Sequence, residues 1–240
     1  MTSTSGKSAS KMSAAELAKF FDHTALKAET TAKDIEALCA EAKELGTASV
    51  CVSPVWIPLA ARLLKGSGVI PITVVGFPLG ANSTAAKVFE ASEAIKRGAL
   101  EIDMVLSIGE IKSKLFTEAR QDIISVKKAC GSIPLKVIFE TALLTAEEIS
   151  MVAKWCAEDR VDFVKTSTGF STRGASIEDL RLMREAIAGS QTKIKASGGI
   201  RNLKDTVAMI DAGAHRIGAS ATRGIIAELA GGATDQTPGY

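Results

Sequence analysis

Two hydrophobic patterns alternate along the chain from residue 34 onward. In residues 34–46, "DIEALCAEAKELG", apolar side chains recur every three or four positions, which predicts a helix that ends at Gly46. Residues 48–54, "ASVCVSP", form a short continuous apolar run, which predicts a buried strand. The same alternation predicts further helices at 58–68, 84–99, 117–131, 145–159, 177–189 and 203–214, and further strands at 72–80, 101–109, 135–144, 161–165, 193–200 and 215–220.

This order of elements favours a closed barrel. The predicted strands are apolar on both faces, which is typical of parallel sheets covered by helices. A (β/α)8 TIM barrel requires an eighth strand, which we expect at residues 21–26, "FDHTAL". An open doubly wound sheet is the alternative, but the Gly-rich fingerprint that it predicts after its first strand is missing from the sequence. We therefore predict a single barrel domain at 13–230, a flexible N-terminal extension at 1–12 and a tail at 231–240.

Composition and charge narrow the function classes. The chain has 29 basic and 27 acidic residues and a net charge of +2, with no basic block that would favour a nucleic acid or a membrane surface. The sequence contains no apolar run of transmembrane length and no signal-peptide core at its start. Its four cysteines lack C-x-x-C spacing, so we expect reduced thiols, no metal site and a cytoplasmic location.

Polar residues fall where the predicted strands end, which is where barrels carry their chemistry. Lys165 and Lys195 end consecutive strands, which lie about 4.8 Å apart in a sheet. Burial and mutual repulsion lower a lysine pKa, and a neutral amine attacks carbonyls to form a Schiff base. Asp103, two strands from Lys165, can hold the second lysine charged and pass protons. The alternative is that both lysines extend to solvent from the strand ends.

Glycine-rich turns follow the last two predicted strands. They read "SGGIR" at 197–201 and "GASATR" at 218–223. Glycines let the backbone approach a ligand, and a helix N-terminus adds N–H donors and a positive dipole. In barrels these two turns often bind phosphate, so we predict a phosphate subsite here, with Arg201 at its rim. The alternative is a pair of tight turns without a ligand.

Several motifs together resemble the deoxyribose-phosphate aldolase family. They run in order from Phe21 to Ser220 and cover most of the chain. The motifs are "DHTAL" (22–26), "ASVCVSP" (48–54), "GFPLG" (76–80), "EIDMV" (101–105), "KVIFET" (136–141), "DFVKTSTGF" (162–170), "KASGGIR" (195–201) and "RIGAS" (216–220). The resemblance implies a cofactor-free class I aldolase that cleaves 2-deoxy-D-ribose 5-phosphate reversibly to D-glyceraldehyde 3-phosphate and acetaldehyde. It also implies a homodimer and a role in deoxyribose phosphate catabolism.

The resemblance also implies roles for individual residues. Lys165 corresponds to the Schiff-base lysine, Lys195 to the second lysine and Asp103 to the acid/base aspartate. Cys51 corresponds to a substrate-pocket cysteine and Asp22 to an outer member of the proton network. The phosphate-loop positions are Gly169, Gly198, Gly199, Gly218 and Ser220. Tyr240 resembles the terminal tyrosine that in this family folds back to the site and assists proton transfer, and the alternative for this Gly/Thr/Pro-rich tail is disorder. Some relatives carry a phosphate-facing lysine where this chain has Phe170, and whether Arg173 replaces that lysine is open.

Two other functions are consistent with these residues. One is a phosphosugar isomerase or synthase on the same barrel, which uses acid/base pairs without a covalent amine. The other is a non-catalytic phosphometabolite-binding protein, against which the combination of Lys165, Lys195 and Asp103 argues. We interpret His23 as a structural histidine, assign no role to His215, and interpret Glu140 as a structural carboxylate beside the lysines.

Overall fold

The strands form a closed, all-parallel barrel. The computed structural model describes residues 11–229 and 231. Eight strands pair in chain order, and β1 pairs with β8 to close the barrel. Their bounds are β1 Phe21–Ala25, β2 Ser49–Val52, β3 Ile70–Val75, β4 Glu101–Val105, β5 Leu135–Ile138, β6 Phe163–Lys165, β7 Lys193–Ser197 and β8 Arg216–Ala219. The predicted (β/α)8 barrel and its early first strand are therefore confirmed.

Helices follow every strand in the described part of the chain. The α-helices are α1 Ala14–Ala18, α2 Ala32–Leu45, α3 Ile57–Leu64, α4 Thr84–Lys96, α5 Ile108–Lys112, α6 Phe116–Cys130, α7 Ala146–Glu158, α8 Ile177–Ala186, α9 Leu203–Asp211 and α10 Thr222–Leu229. None of the helices within the described ranges combines the length and the apolar character needed to cross a bilayer.

The hydrophobic core lies between the barrel wall and the helices. Successive side chains of a strand point to opposite faces, so each strand contributes to two different environments. In β4, Ile102 and Met104 belong to the large apolar cluster, whereas Asp103 between them contacts charged residues of other strands. The barrel interior therefore holds polar and charged groups, and the burial of apolar area that stabilises the fold occurs mainly outside it.

Local sequence signals explain several helix boundaries. The Thr31 hydroxyl accepts a hydrogen bond from the Asp34 N–H and the Asp34 carboxylate accepts one from the Thr31 N–H, which starts α2 two residues earlier than predicted. Gly46 ends α2 in the left-handed conformation, with φ of 69°. A capping box between Thr145 and Glu148 likewise starts α7.

Several strands are shorter than predicted. The strand predicted at 101–109 ends at Val105, and α5 begins at Ile108. Two other strands show why the predictions were too long. The strand expected to run to residue 144 ends at Ile138, because Glu140 has a φ of 55° and begins a short 3-10 turn at Thr141–Leu143. The strand expected at 72–80 ends at Val75, and Gly76 follows it with a φ of 63°. In both places an apolar run continues into the loop, so the hydrophobic pattern alone overestimated the strand length.

Candidate active site

The two predicted lysines lie side by side in the barrel wall. Lys165 is the last residue of β6, and its Cα partner in the β6–β7 register is Lys195. Both side chains are almost completely buried. Their ammonium groups share one carboxylate oxygen, since Asp103 Oδ2 lies 2.7 Å from Lys165 Nζ and 2.8 Å from Lys195 Nζ. The structure therefore does not place the lysines at solvent-exposed strand ends.

Lys136, which the sequence analysis did not select, binds the other oxygen of the same carboxylate. Its Nζ lies 3.0 Å from Asp103 Oδ1 and also contacts the Glu101 carboxylate. Lys136 is the second residue of β5 and is fully buried. The sequence does contain a signal for Lys136, since a lysine stands between Leu135 and Val137 inside an apolar run. A lysine is almost never fully buried without a partner, so this position predicts a buried ion pair.

Asp22 and Arg216 extend this network to the strands that close the barrel. Asp22 Oδ2 lies 2.5 Å from Lys195 Nζ, and Asp22 Oδ1 accepts hydrogen bonds from Arg216 Nε at 2.7 Å and Ser49 Oγ at 2.6 Å. Arg216 also contacts Glu101 at 3.2 Å. Asp22 therefore lies within the network, in contact with the second lysine, as the family pattern places it.

The charges of this network balance only when one lysine is neutral. Three buried carboxylates, Asp22, Glu101 and Asp103, face four basic side chains, Lys136, Lys165, Lys195 and Arg216. Because an uncompensated buried charge is costly, we expect the proton to be lost from the cation that the neighbouring carboxylates stabilise least.

The two active-site lysines respond differently to this environment. Burial lowers the pKa of Lys165, and the charge of Lys195 adds to that effect, although Asp103 opposes both. Burial also disfavours the charge of Lys195, but contacts with Asp103 and Asp22 outweigh it and raise its pKa. Burial likewise opposes ionisation of Asp103, but the surrounding lysines hold the pKa of its carboxyl well below the usual range. The site therefore favours a neutral Lys165 beside a charged Lys195.

Cys51 borders the network from the apolar side. It lies on β2, is fully buried and clusters with Leu26, Ile72 and Val74. Burial raises the pKa of its thiol to about 11, and the nearby Asp103 carboxylate adds to this shift. Cys51 is therefore a neutral thiol at neutral pH, and a small apolar surface faces the lysines from this side.

A pocket connects Lys165 with the two glycine-rich turns. It encloses about 430 Å³ of empty space, including its open mouth, and Lys165 forms part of its wall. The predicted phosphate-loop residues Gly198, Gly199, Gly218 and Ser220 line the same pocket, as does Arg201. Gly169 is absent from the described lining and lies behind the first turn, where a Cβ on Gly198 would come within 3.5 Å of its Cα.

Close packing explains two of these glycines. A Cβ on Gly198 would lie 3.0 Å from the Gly174 Cα, and the residue has a φ of 86°, which favours glycine. Gly218 has an ordinary φ, but a Cβ there would lie 2.8 Å from the Ser197 Cβ and 3.2 Å from the Lys195 Cε. Gly218 therefore leaves room for the stem of the second lysine as well as for a ligand.

Other residues singled out from the sequence lie outside the pocket lining. Arg173 forms an ion pair with Asp179 at 2.5 Å, so of the two arginines considered it is Arg201 that faces the pocket. Glu140 accepts hydrogen bonds from the hydroxyl and N–H of Thr168, so it supports the turn after β6 and not the lysines. Tyr240 lies outside the described residues.

The histidines have structural contacts. The His215 ring accepts a hydrogen bond from the Ile194 N–H at 3.4 Å, away from the pocket. The His23 ring contacts Thr222 and Glu41 between the barrel wall and the helices. Within the described ranges, no cluster of His, Cys, Asp and Glu side chains has the composition of a metal site.

Comparison with known proteins places this geometry in a family. The model of the DeoC/LacD family of aldolases matches residues 17–228. The chain belongs to this family. It is 53% identical over 225 residues to the deoxyribose-phosphate aldolase of Mannheimia succiniciproducens, covering 94% of this chain and 98% of the relative. The chain is therefore an aldolase, and the family suggested by its motifs is confirmed.

Solved structures of DeoC-type aldolases share the fold. A Coccidioides immitis protein described as a deoxyribose-phosphate aldolase superposes with a TM-score of 0.89 and 43% identity, covering 91% of this chain and 87% of that one. The deoxyribose phosphate aldolase of Aeropyrum pernix, described as a tetramer, gives a TM-score of 0.84 and 29% identity, with 91% and 92% of the two chains covered.

Proposed function

We propose that this aldolase cleaves 2-deoxy-D-ribose 5-phosphate reversibly to D-glyceraldehyde 3-phosphate and acetaldehyde through a Schiff base on Lys165. The observation that carries the proposal is a buried lysine with a lowered pKa in the wall of a pocket whose other walls are two glycine-rich turns. The Lys165 amine can react with the aldehyde at one end of this substrate, and the backbone N–H groups of the turns can bind the phosphate at the other end. The relatives named deoxyribose-phosphate aldolase support the same choice.

Lys165 acts as the nucleophile in this proposal. Its neutral Nζ adds to C1 of the open-chain sugar and forms a carbinolamine, which loses water to give an iminium ion. A neutral Lys165 removes the excess positive charge of the network, so its amine is already unprotonated when the substrate binds. The Lys195 ammonium, 2.8 Å from the Asp103 oxygen that Lys165 also contacts, supplies a proton to the departing hydroxyl.

The iminium nitrogen then accepts the electrons of the broken carbon–carbon bond. A base removes the proton of the C3 hydroxyl, the C2–C3 bond breaks, and its electron pair moves through C1–C2 to the nitrogen. Glyceraldehyde 3-phosphate leaves, and an enamine remains on Lys165. Protonation at C2 and addition of water then release acetaldehyde and restore the amine. Because the iminium is itself the electron sink, the proposal requires no cofactor and no metal.

In this proposal Asp103 acts as a proton relay and not as a strong base. Its pKa is held low by Lys136, Lys165 and Lys195, so its carboxylate does not retain a proton. It can nevertheless orient both lysines and pass a proton between groups that contact the same oxygen. Asp22 keeps Lys195 charged from the opposite side.

The turns after β7 and β8 hold the phosphate in this proposal. Gly198, Gly199, Gly218 and Ser220 line the pocket next to the start of α10, whose N–H groups favour an anion, and Arg201 adds a positive charge. A phosphate bound here is remote from the bond that breaks. Its binding energy therefore serves to orient C1 toward Lys165.

Borohydride trapping tests the proposal. The protein is incubated with 2-deoxyribose 5-phosphate, reduced with borohydride, digested and analysed by peptide mass. We expect an ethyl group on the peptide that holds Lys165, because only a reduced iminium leaves a stable adduct on the protein and only cleavage leaves two carbons. The Lys165→Met variant, treated identically, serves as the control and should carry no adduct.

Other outcomes of this experiment would change the assignment. An adduct on the Lys195 peptide would exchange the roles of the two lysines. A five-carbon adduct without the ethyl group would show Schiff-base formation without cleavage. Bound sugar with no adduct would remove the covalent mechanism and favour an isomerase or a binding protein.

The proposal includes expectations about assembly and location. We keep the homodimer as a prediction, to be tested by sedimentation equilibrium against the tetramer described for the Aeropyrum pernix protein. A cytoplasmic location and a role in deoxyribose phosphate catabolism follow from the same proposed substrate. No nucleic-acid or membrane partner is needed for this function.

A further inference from the structure

His23 connects three elements from a position outside the barrel interior. Side chains alternate along β1, so Asp22 and Thr24 face the network and the pocket, and His23 faces the helices. The His23 side chain is 4% exposed. Its Nδ1 lies 3.0 Å from the Thr222 hydroxyl at the start of α10, and its Nε2 lies 3.2 Å from the Glu41 carboxylate on α2.

The contact with Thr222 continues to the turn after β8. The Thr222 hydroxyl donates a hydrogen bond to the Ala219 carbonyl oxygen at 3.2 Å. The same hydroxyl oxygen lies 3.0 Å from His23 Nδ1, so Thr222 bridges the ring and the Ala219 carbonyl. His23 and Ala219 are also aligned as Cα partners in the β1–β8 register. Backbone pairing and side-chain contacts therefore tie the same residue, Ala219, to His23.

Fixing the Ala219 carbonyl also fixes the next backbone N–H. The Ala219 carbonyl and the Ser220 N–H belong to one planar trans peptide unit, so they point in opposite directions. With the carbonyl directed toward Thr222, the Ser220 N–H is held on the other side of the peptide. Gly218, Ala219 and Ser220 all line the pocket, so this peptide forms part of its wall.

We propose that His23 is a positioning residue for the anion-binding turn after β8. It orients the Ala219–Ser220 peptide through Thr222 and is itself anchored by Glu41. The inference rests on the proposed function, since it assigns the turn to the substrate phosphate. His23 does not touch the substrate, and it affects the part of the site that binds the phosphate and not the part that performs the chemistry.

Thr222 offers a matched pair of variants for the test. Thr222→Val removes the hydroxyl and keeps the shape, whereas Thr222→Ser keeps the hydroxyl. For 2-deoxyribose 5-phosphate we expect Thr222→Val to raise KM about tenfold with kcat within about twofold, the effect of one lost charge-assisted hydrogen bond. For 2-deoxyribose, which lacks the phosphate, we expect no change in kcat/KM. Thr222→Ser should behave like the wild type with both sugars.

A second variant tests the ring directly. His23→Phe keeps a buried aromatic ring without its donors, and it should raise KM for the phosphorylated sugar as Thr222→Val does. Because both changes break one chain of contacts, the double variant should be no worse than either single variant. Glu44→Gln is the control, since Glu44 ties α2 to α10 through Arg223 without using the ring. Glu44→Gln should leave KM and kcat unchanged for both sugars.

Several results would overturn the inference. An equal loss with both sugars would show that Thr222 and His23 only stabilise the fold. An unchanged KM for the phosphorylated sugar in Thr222→Val would show that the turn does not depend on this contact. If His23→Phe fails to fold, the Thr222 pair still decides between these results.

The test also separates this inference from the proposed function. If the wild type cleaves neither sugar, the proposed function fails, and inorganic phosphate then replaces the sugars as the probe in titration calorimetry. Phosphate binding that is about tenfold weaker in Thr222→Val than in the wild type and in Thr222→Ser would support the inference. Equal binding in the three proteins, or no binding to the wild type, would overturn it.

Discussion

At the residue scale, the informative comparison is between two lysines on neighbouring strands. Lys195 contacts two carboxylates, Asp22 and Asp103, whereas Lys165 contacts only Asp103 among its described partners. Both are buried, so this difference of one carboxylate decides which amine keeps its proton. The sequence predicted the pair and its carboxylate, but it did not reveal that Asp22 supports only one of them.

Replacing Lys195 tests this balance. In Lys195→Met the network loses a cation, and the remaining carboxylates favour a charged Lys165, so its pKa rises. In the proposed mechanism catalysis requires the neutral amine, so the acid limb of the kcat/KM profile should move to higher pH by about one to two units. The rate at its optimum should also fall by about 10² or more, because a general acid is lost.

The control for this experiment lies two residues away. Lys193→Met removes an exposed lysine from the same strand and should leave the pH profile unchanged. An acid limb that stays in place in Lys195→Met, or moves to lower pH, would contradict the proposed charge balance.

Lys136 gives a second prediction at the residue scale, this time for stability. Lys136→Met leaves Glu101 and Asp103 with fewer cations in a buried site, so the free energy of unfolding should fall by about 3 kcal/mol. Adding Glu101→Gln removes one of the two carboxylate charges that lost a partner and should recover part of that loss. Urea denaturation of the two single variants and the double variant measures the coupling, and strictly additive losses would contradict it.

At the element scale, the last residues of β8 pass close to the side chains of β7. The Lys195 stem occupies the space that a side chain at position 218 would need. Gly218→Ala should therefore lower the free energy of unfolding by about 1–3 kcal/mol through overpacking. It should also lower kcat, since the nearest movable atom is the Lys195 Cε. Thermal unfolding and steady-state kinetics measure the two effects.

A second glycine provides the matched control. Gly109 lies within α5, and a Cβ there would meet no atom within 4 Å. Gly109→Ala should leave kcat unchanged and raise the free energy of unfolding by up to about 1 kcal/mol, because alanine favours a helix. If both variants behaved alike, the packing argument at position 218 would be wrong.

The hydrophobic pattern predicted most of the strands and helices, but not the short helix and the turn described next. Periodicity located seven strands, because parallel strands buried on both faces are apolar over their whole length. The eighth, β1, was expected because a closed barrel requires it. Periodicity missed α5, a helix of five residues directly after β4, because so short a segment carries little periodicity. It extended β5 through Phe139 to Leu144, although the positive φ of Glu140 turns the chain there. Such a turn depends on tertiary contacts, which the sequence pattern does not contain.

At the scale of the whole molecule, one charge network joins six of the eight strands, including β6 through Lys165. Asp22 on β1, Asp103 on β4, Lys136 on β5, Lys195 on β7 and Arg216 on β8 meet inside the barrel. Only part of this network was predictable from residues at the strand ends, because Lys136 and Arg216 occupy the first half of their strands. Which inward positions meet depends on the register between strands, and that register is visible only in the structure.

This network predicts how the protein responds to acid. Neighbouring cations hold the pKa values of Asp22 and Asp103 below their ordinary value of 3.8. Below that value the unfolded chain takes up protons that the folded chain excludes, so unfolding is favoured as the pH falls. Stability is therefore fully present above about pH 4 and decreases below it, and each carboxylate contributes a slope of about 1.4 kcal/mol per pH unit.

Asp22→Asn isolates one of these contributions. Urea denaturation between pH 2 and pH 5 should show a slope that is smaller than that of the wild type by about 1.4 kcal/mol per pH unit, whatever the absolute stability of the variant. Glu36→Gln, on the exposed face of α2, controls for the removal of a carboxyl group from the surface. An unchanged slope in Asp22→Asn would mean that this carboxyl group titrates alike in the folded and unfolded chains. The network would then not hold it in its charged form.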